Sequence, residues 1–140
     1  MPLPPPETLI LDETGTQRLA GYAIDVSDPA SAHCWLDIGP QHLNRHAVLH
    51  GGIATMLLDS ACGATASLTV DHTGKAPFLT VSLNTQFLAP ARSGRVTARG
   101  QIAGGGRKLL FVSGALTDAE GGLIATATGV FRRVPQERLA

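Results

Sequence analysis

A single acidic residue lies in the middle of the most apolar stretch of the chain. Asp59 is the only formally charged side chain between Arg45 and Asp71, and the apolar run around it follows His50-Gly51-Gly52. A run this apolar predicts a helix over Gly51–Leu68 that is buried on most faces. A lone carboxylate in a core is costly unless it is paired, hydrogen-bonded or neutralised. Because desolvation disfavours the charged form, Asp59 suits acid–base chemistry. The structural alternative is a carboxylate that faces a solvent cleft or bonds to backbone.

Composition narrows the classes of function. The length of 140 residues fits one domain with a real core, and 44% hydrophobic residues argue against disorder. Eleven basic residues are balanced by 11 acidic ones, and only 4% are aromatic. We therefore expect no nucleic-acid partner, since such partners need a basic surface.

The location expected from the sequence is the cytoplasm. The first residues lack the basic region and apolar run of a signal peptide, and no stretch is apolar over the length of a membrane span. Cys34 and Cys62 have no metal-ligand or redox spacing and are interpreted as small buried thiols, which suits a reducing compartment. We expect no membrane partner.

The segments around the helix have the period-two pattern of strands. We expect an extended, proline-rich segment over residues 1–20, with a short amphipathic stretch at 8–19, and a single domain over 21–140. Strands are predicted at 21–27, 32–38, 80–88, 95–102, 108–117 and 123–134. In residues 80–88, the residues Val81, Leu83, Thr85 and Phe87 share the face predicted to be buried, and Thr80, Ser82, Asn84 and Gln86 share the other. The fold predicted is α+β, with one long buried central helix wrapped by a curved antiparallel sheet of about six strands.

The loop before the helix carries a motif. It contains His42-Leu43-Asn44, then His50-Gly51-Gly52, followed by Leu57-Leu58-Asp59. With this motif the chain resembles the hotdog-fold acyl-CoA thioesterases of the phenylacetic-acid-degradation type. Their pattern is His-x-Asn, a small residue, then His-Gly-Gly, with the acid eight positions after the first glycine. The family usually has glycine where this chain has Ala47. Residues 80–90 and 106–125 resemble the family's first long strand and last hairpin.

The resemblance implies roles for the motif residues. Thioester hydrolysis needs an activated water or nucleophile and donors for the developing oxyanion. A helix N-terminus supplies free N–H groups, and glycines let a substrate carbonyl approach the backbone. The family's roles, carried over, make the Gly51 N–H the oxyanion donor with help from the Asn44 amide, and Asp59 the general base or nucleophile. Thr80 would orient the attacking water. His50 either donates to the substrate carbonyl or fixes the loop by bonding to backbone.

Substrate contacts are predicted on both elements. The acyl group would lie against the helix at Gly52, Met56, Cys62 and Gly63 and against the strand from Asn84 to Phe87. By resemblance, Arg107 and Lys108 lie where the nucleotide phosphates of CoA pass, with Arg92 as a second candidate. Solvated surface charge is the alternative for each of the three. His42 and His46 lack a third converging ligand, so we expect no metal, and no organic cofactor is implied.

Helix geometry predicts a dimer. Eight helical residues span ~12 Å at ~1.5 Å per residue, so Asp59 and its own Gly51 cannot both touch one carbonyl. An antiparallel second copy would bring Asp59 beside the partner's Gly51, and the family's dimeric site matches this. Two dimers pairing into a homotetramer is common in that family.

Other functions stay open at this level. One alternative is a hotdog enoyl-CoA hydratase or dehydratase that uses His50, although the dehydratases' Gly-His-Phe-Pro loop is absent. Another is a non-catalytic acyl-CoA-binding protein. A carrier-protein thioester could replace acyl-CoA as the substrate. Acyl-chain identity and the choice between base and nucleophile are not determined by the sequence.

Overall fold

One antiparallel sheet wraps a long helix. The computed structural model describes residues 6–139. Its strands are β1 (Leu9–Ile10), β2 (Ala23–Asp25), β3 (His33–Asp37), β4 (Phe78–Phe87), β5 (Arg95–Gly105), β6 (Leu109–Thr117) and β7 (Leu123–Arg133), and its helices are α1 (Gly15–Ala20) and α2 (Gly51–Leu68). Short 3-10 turns cover Pro6–Thr8, Pro40–His42 and Gln136–Arg138. The strand order is β1-β2-β3-β5-β6-β7-β4, with every neighbouring pair antiparallel. The predicted α+β fold is confirmed.

The central helix has the predicted bounds. α2 begins at Gly51 and ends at Leu68, and it contacts strands β2 to β7. Leu57 and Leu58 are fully buried against the concave face of the sheet. Because the sheet curves around α2, more than one face of the helix is covered, which explains its nearly continuous apolar sequence.

Two strand glycines allow the sheet to approach α2 closely. A Cβ on Gly100 would collide with the Thr65 hydroxyl, and one on Gly114 would lie 2.8 Å from Cys62 Sγ. The Thr65 hydroxyl is itself satisfied, since it donates to the Ala61 carbonyl oxygen at 2.7 Å and accepts from the Ala32 N–H at 3.0 Å. The close contact therefore costs no unpaired polar group.

The N-terminal segment departs from the prediction. Over residues 9–20, where an extended segment with a short amphipathic stretch at 8–19 was expected, the chain forms β1 and α1. Thr14 caps α1 by accepting from the Gln17 N–H at 3.1 Å, and the buried Gln17 amide donates to the Tyr22 carbonyl oxygen at 3.0 Å. β1 pairs with β2, so the sheet has seven strands rather than about six. The proline-rich start at residues 1–5 lies outside the described residues.

A β-bulge changes the phase of β4. Thr80 is opposite Phe131 and Ser82 is opposite Val130, so Val81 is an extra residue in this strand. A bulge reverses which side chains face the core. Thr80 therefore faces α2, as Leu83 does, and the predicted placement of these two residues on opposite faces is wrong. Val81 and Phe87, expected to be buried, are 59% and 60% exposed because β4 is the edge of the sheet.

The alanine that departs from the family motif is strained. Ala47 has a φ of 59°, a left-handed conformation that costs an L-residue roughly 1–2 kcal/mol. Glycine avoids that cost but loses about 0.4–1 kcal/mol through the entropy of the unfolded chain. We expect Ala47→Gly to stabilise the protein by up to about 1 kcal/mol, measured by denaturant unfolding. The matched control is Ala119→Gly in an exposed turn without positive φ, which should not gain stability. A loss of stability in Ala47→Gly would contradict this.

Candidate active site

The N-terminus of α2 carries a free backbone donor. His50 caps the helix, because its Nδ1 accepts from the Gly52 N–H at 2.8 Å while its own N–H donates to the His42 carbonyl oxygen at 2.8 Å. The Gly51 N–H has no acceptor anywhere in residues 6–139. An unpaired N–H at the positive end of an 18-residue helix suits a developing negative charge.

The ring of His50 supports the start of α2 through Nδ1, and its predicted donation to a substrate carbonyl stays a prediction. Since Nδ1 accepts, the proton of the neutral ring lies on Nε2. Gly52, expected to contact substrate, commits its N–H to this cap, so only the backbone of Gly51 offers a donor at this point.

The side-chain oxygen of Asn44 stabilises the loop before α2. Its Oδ1 accepts from the His46 N–H at 2.9 Å and the Val48 N–H at 3.4 Å. Because both partners are donors, the oxygen must face them, and the NH₂ group points the other way. That NH₂ group has no partner within the described chain. Asn44 is therefore an anchored side chain with a free donor.

Asp59 is held by a strand residue. The Thr80 hydroxyl donates to Asp59 Oδ1 at 2.6 Å, and the bulge at Val81 is what turns Thr80 towards α2. The side chain is only partly buried in the single chain, so the expected full enclosure of the carboxylate is not found there. Asp59 is partly exposed because it lies beside, and not within, the face of α2 that contains the fully buried Leu57 and Leu58. Oδ2 has no partner in the described residues and is free to accept a proton.

The two halves of the candidate site are separated along the helix. Gly51 and Asp59 lie eight residues apart in continuous α-helix, which corresponds to ~12 Å. Asn44 and the Gly51 N–H belong to the helix start, whereas Asp59 and Thr80 belong to its middle. Within one chain they cannot act on the same carbonyl carbon.

An apolar pocket lies beside the free N–H. It has a volume of about 380 Å³ and is lined by Gly51, Ala54, Phe87 and the segment at residues 88–91, among others. The Phe87 ring lies 3.3 Å from where a Cβ on Gly51 would be, so the structure brings these two predicted residues together. Met56, one turn before Asp59, is half-buried and packs against the main core.

Asn84 does not join the site. It is opposite Thr128, is exposed, and accepts from Gln86 Nε2 at 2.8 Å on the sheet face away from α2. Its neighbour Leu83 packs in the core, so alternation directs Asn84 outward. Within one chain Asn84 therefore does not face α2, and its expected contact with an acyl group stays a prediction.

The three basic residues predicted to contact the CoA phosphates lie in two different parts of the structure. Arg92 Nη1 lies 3.4 Å and 3.5 Å from the carbonyl oxygens of His46 and Ala47, to which it donates, and so supports the loop. Arg107 and Lys108 lie at the opposite end of α2 on a larger cavity. Three further arginines of that cavity were missed, although an Arg132-Arg133 pair after an apolar strand could have indicated one.

His42 and the two cysteines have structural roles. His42 is buried, with Nδ1 accepting from the Gly39 N–H and Nε2 2.7 Å from the Ala20 carbonyl oxygen. No group of three metal-binding side chains occurs in the described part of the chain. Both cysteines are free and buried. Burial, and secondarily the charge of Asp59, raises the pKa of the Cys62 thiol to about 12, and burial also raises the pKa of Cys34. Neither thiol is suited to nucleophilic attack.

Comparison with known proteins identifies the family. The model of the thioesterase superfamily matches residues 46–125, a stretch that contains Gly51, Asp59 and Thr80. The chain belongs to the thioesterase superfamily. This thioesterase is 33% identical over 99 residues to acyl-coenzyme A thioesterase 13 of Mus musculus, which covers 69% of each chain. It is 31% identical over 112 residues to the Homo sapiens protein of that name, covering 78% of each chain.

Solved structures agree on the architecture. A thioesterase from Haemophilus influenzae superposes with a TM-score of 0.79 at 20% identity, covering 87% of this chain and 84% of the other. A protein from Thermus thermophilus gives 0.74 at 27% identity, covering 87% and 99%. The fold is the hotdog fold, and the protein is a thioester hydrolase. Within residues 6–139, no helix of this thioesterase has the length and apolarity needed to cross a membrane.

Proposed function

We propose that this thioesterase hydrolyses acyl- or aryl-CoA thioesters to the free acid and CoA at a site shared by two subunits. The observation that carries the proposal is the pair of groups on α2: an unpaired Gly51 N–H at its start and an Asp59 carboxylate held by Thr80 in its middle. One group suits an oxyanion and the other suits water activation. Their separation of ~12 Å favours a site completed by a second copy.

Each residue then has a defined task. Oδ2 of Asp59 takes a proton from water as the water oxygen attacks the thioester carbon, or Oδ2 itself attacks to give a mixed anhydride that water then hydrolyses. The partner subunit's Gly51 N–H and Asn44 amide stabilise the negative charge on the carbonyl oxygen. The thiolate of CoA leaves and gains a proton. Thr80 orients the carboxylate through Oδ1, which leaves Oδ2 for the reaction.

The edge strand supports the dimer. β4 ends the sheet order and has ten residues with an unpaired edge. Leu79, Val81, Phe87 and Leu88 on and after this strand are all more than half exposed. A long apolar edge invites pairing with another strand. We propose that two copies pair along β4 with their α2 helices antiparallel, and that such dimers associate further into a homotetramer.

The thioesterase reaction is favoured over the hydratase alternative at His50. A hydratase would need this ring to exchange protons with the substrate through Nε2 alone, because Nδ1 accepts from the Gly52 N–H and caps α2. The two buried, unbridged cysteines support a cytoplasmic location, which we propose together with this function.

A panel of thioesters tests the proposal. We expect thiol release to be fastest with an aryl-CoA such as phenylacetyl- or hydroxybenzoyl-CoA, or with a medium-chain acyl-CoA, because the pocket beside Gly51 is apolar and about 380 Å³ in volume. Short- and long-chain acyl-CoAs complete the panel. The absence of release from every CoA thioester, in protein shown to be folded and dimeric, would overturn the proposal.

The Thr80 hydroxyl should contribute measurably to the rate. Thr80→Val keeps the shape of the side chain but removes its bond to Asp59, and a hydrogen bond to a charged group is worth roughly 1.5–3 kcal/mol. We expect kcat to fall about 10- to 100-fold with KM nearly unchanged. Thr80→Ser, which retains the hydroxyl, should recover most of the rate. Equal losses in both variants would point to packing rather than to the hydrogen bond.

A further inference from the structure

A buried histidine links the first helix to the loop before α2. His42 is 2% exposed and ends the 3-10 turn Pro40–His42. Its Nδ1 accepts from the Gly39 N–H at 2.9 Å, so the proton of the neutral ring lies on Nε2. Nε2 lies 2.7 Å from the carbonyl oxygen of Ala20, the last residue of α1, and donates to it. Both ring nitrogens are therefore committed, and one side chain joins segments that are 22 residues apart.

The backbone of His42 restrains the start of α2. Its carbonyl oxygen accepts from the His50 N–H at 2.8 Å. The His50 carbonyl oxygen in turn accepts from the Ile53 N–H at 2.9 Å and the Ala54 N–H at 3.1 Å. Because a peptide group is planar, this carbonyl and the Gly51 N–H belong to one rigid unit. The direction of the free Gly51 N–H is therefore set by hydrogen bonds on both sides of His50, and His42 makes the one on the N-terminal side.

The Ala20 carbonyl is held in a fixed position. The last carbonyls of a helix have no partner within it, so the Ala20 oxygen is available to the ring. α1 ends at Gly21, whose N–H donates to the Gln17 carbonyl oxygen at 2.7 Å and whose φ is 83°. Ala20 and Tyr22 are buried in the main core together with Leu49. Because both ends of the link are packed, a displacement of Ala20 moves the His42 ring with it.

We infer that His42 is a positioning residue for the oxyanion donor, and that α1 supports the reaction through it. The inference rests on the proposed function and extends the machinery to an N-terminal segment that lies before residues 46–125, the part matched by the superfamily model. His42 acts by restraining the peptide group that carries the Gly51 N–H. An oxyanion donor must lie within hydrogen-bond distance of the developing charge, and a displacement of ~1 Å costs roughly 10²-fold in rate.

Two amide variants separate the two bonds of the ring. The amide nitrogen in His42→Gln reaches about as far as Nε2 and retains a donor for the Ala20 carbonyl, whereas the shorter side chain in His42→Asn retains only an acceptor for the Gly39 N–H. We expect kcat of His42→Asn to fall roughly 10- to 100-fold with KM nearly unchanged, and His42→Gln to recover most of the rate. Equal losses of kcat in both variants, or a wild-type kcat in His42→Asn, would overturn the inference.

Thr65→Val controls for a loss of stability alone. Thr65 is 1% exposed, and its hydroxyl also makes two hydrogen bonds to backbone, with the Ala61 carbonyl oxygen and the Ala32 N–H. It lies in the C-terminal half of α2, away from the helix start. Its urea midpoint should fall about as far as that of His42→Asn, while kcat stays within about 2-fold of the wild type. An equal fall of kcat in Thr65→Val would overturn the inference, because stability alone would then explain the loss.

A pair of glycine variants tests α1 without altering the loop, and decides the matter if the His42 variants do not fold. Gly21 and Gly121 have φ of 83° and 85°, and a Cβ on either would have no contact within 4 Å in the described chain beyond its sequence neighbours. Gly21→Ala and Gly121→Ala therefore introduce the same backbone strain, one beside the Ala20 carbonyl and one in the β6–β7 turn. We expect kcat to fall about 3- to 10-fold in Gly21→Ala only. Equal kcat in the two variants would overturn the role of α1.

Amide NMR separates failure of this inference from failure of the proposed function. The amide signals of His50, Gly51 and Gly52 are recorded in the wild type, His42→Asn and Thr65→Val, which needs no turnover. We expect these signals to shift, and the His50 N–H to exchange faster with solvent, in His42→Asn only. Unchanged signals in His42→Asn would overturn the inference even in an active enzyme. Shifted signals in a protein that hydrolyses no thioester would support the link through His42 and overturn the proposed function.

Discussion

Asp59→Asn should abolish thioester hydrolysis while the protein remains folded and associated as the wild type is. The amide has the size of the carboxylate but can neither take a proton from water nor attack as a nucleophile. Loss of a positioned general base costs typically 10²–10⁴-fold, and loss of a nucleophile costs at least as much. We expect thiol release from the best CoA thioester to fall by at least about 10²-fold. The measurement is the initial rate at saturating substrate, with wild type and variant prepared together.

The fold should tolerate this change because the local hydrogen bond survives. The Thr80 hydroxyl can still donate to the Asn oxygen in place of Asp59 Oδ1. Asp12→Asn is the matched control, since Asp12 is exposed and its φ of 52° suits asparagine as well as aspartate. That variant should hydrolyse at the wild-type rate. A wild-type rate in Asp59→Asn would remove the carboxylate from the mechanism and leave the function of the site to be sought elsewhere.

The helix and its motif could be predicted from sequence because their information is local. The apolar run that begins after Gly51-Gly52 and ends at Leu68 determined the bounds of α2 without reference to the sheet. The spacing from Gly51 to Asp59 is likewise a property of one helix. Helical rise converts that spacing directly into a distance, and this is why the separation of the two groups follows from the amino-acid sequence alone.

The parts that were mispredicted depend on contacts that no single segment contains. The bulge at Val81 could not be predicted from the sequence. Apolar and polar residues alternate regularly from residue 80 to residue 87, and this alternation is the same whether or not Val81 is an extra residue. The two-residue strand β1 forms through pairing with β2. The cavity at the C-terminal end of α2 joins three separate parts of the chain, which are brought together by the sheet order: residues 70, 71, 76 and 77, residues 107 and 108, and residues 132–135, 137 and 138. In each case the local structure depends on pairing with a part of the chain that is distant in sequence, so the segment's own sequence does not determine it.

Two inactive chains should restore activity to each other if the site is shared. One chain carries Asp59→Asn, and the other carries Asn44→Asp. The second change keeps the oxygen that accepts from the His46 and Val48 N–H groups and removes the amide donor, so the loop is preserved while oxyanion stabilisation is lost. Loss of one such donor costs typically 10²–10³-fold. Co-expression with two affinity tags isolates mixed dimers. They should recover about half of the wild-type activity, since one of the two symmetric sites is whole.

A second mixed dimer, of one wild-type chain and one chain that carries both substitutions, controls for damage to the fold. If the sites are shared, each takes Asp59 from one subunit and Asn44 from the other. In this dimer each site therefore contains one substituted residue, and both sites are inactive. Such dimers should be almost inactive. If each chain instead contained its own complete site, this same dimer would retain about half of the activity, and the dimer of single variants would have none. Shared sites and sites within one chain thus predict opposite activities for the two mixed dimers, which contain the same substitutions at positions 44 and 59. General damage to the fold would lower the activity of both dimers alike.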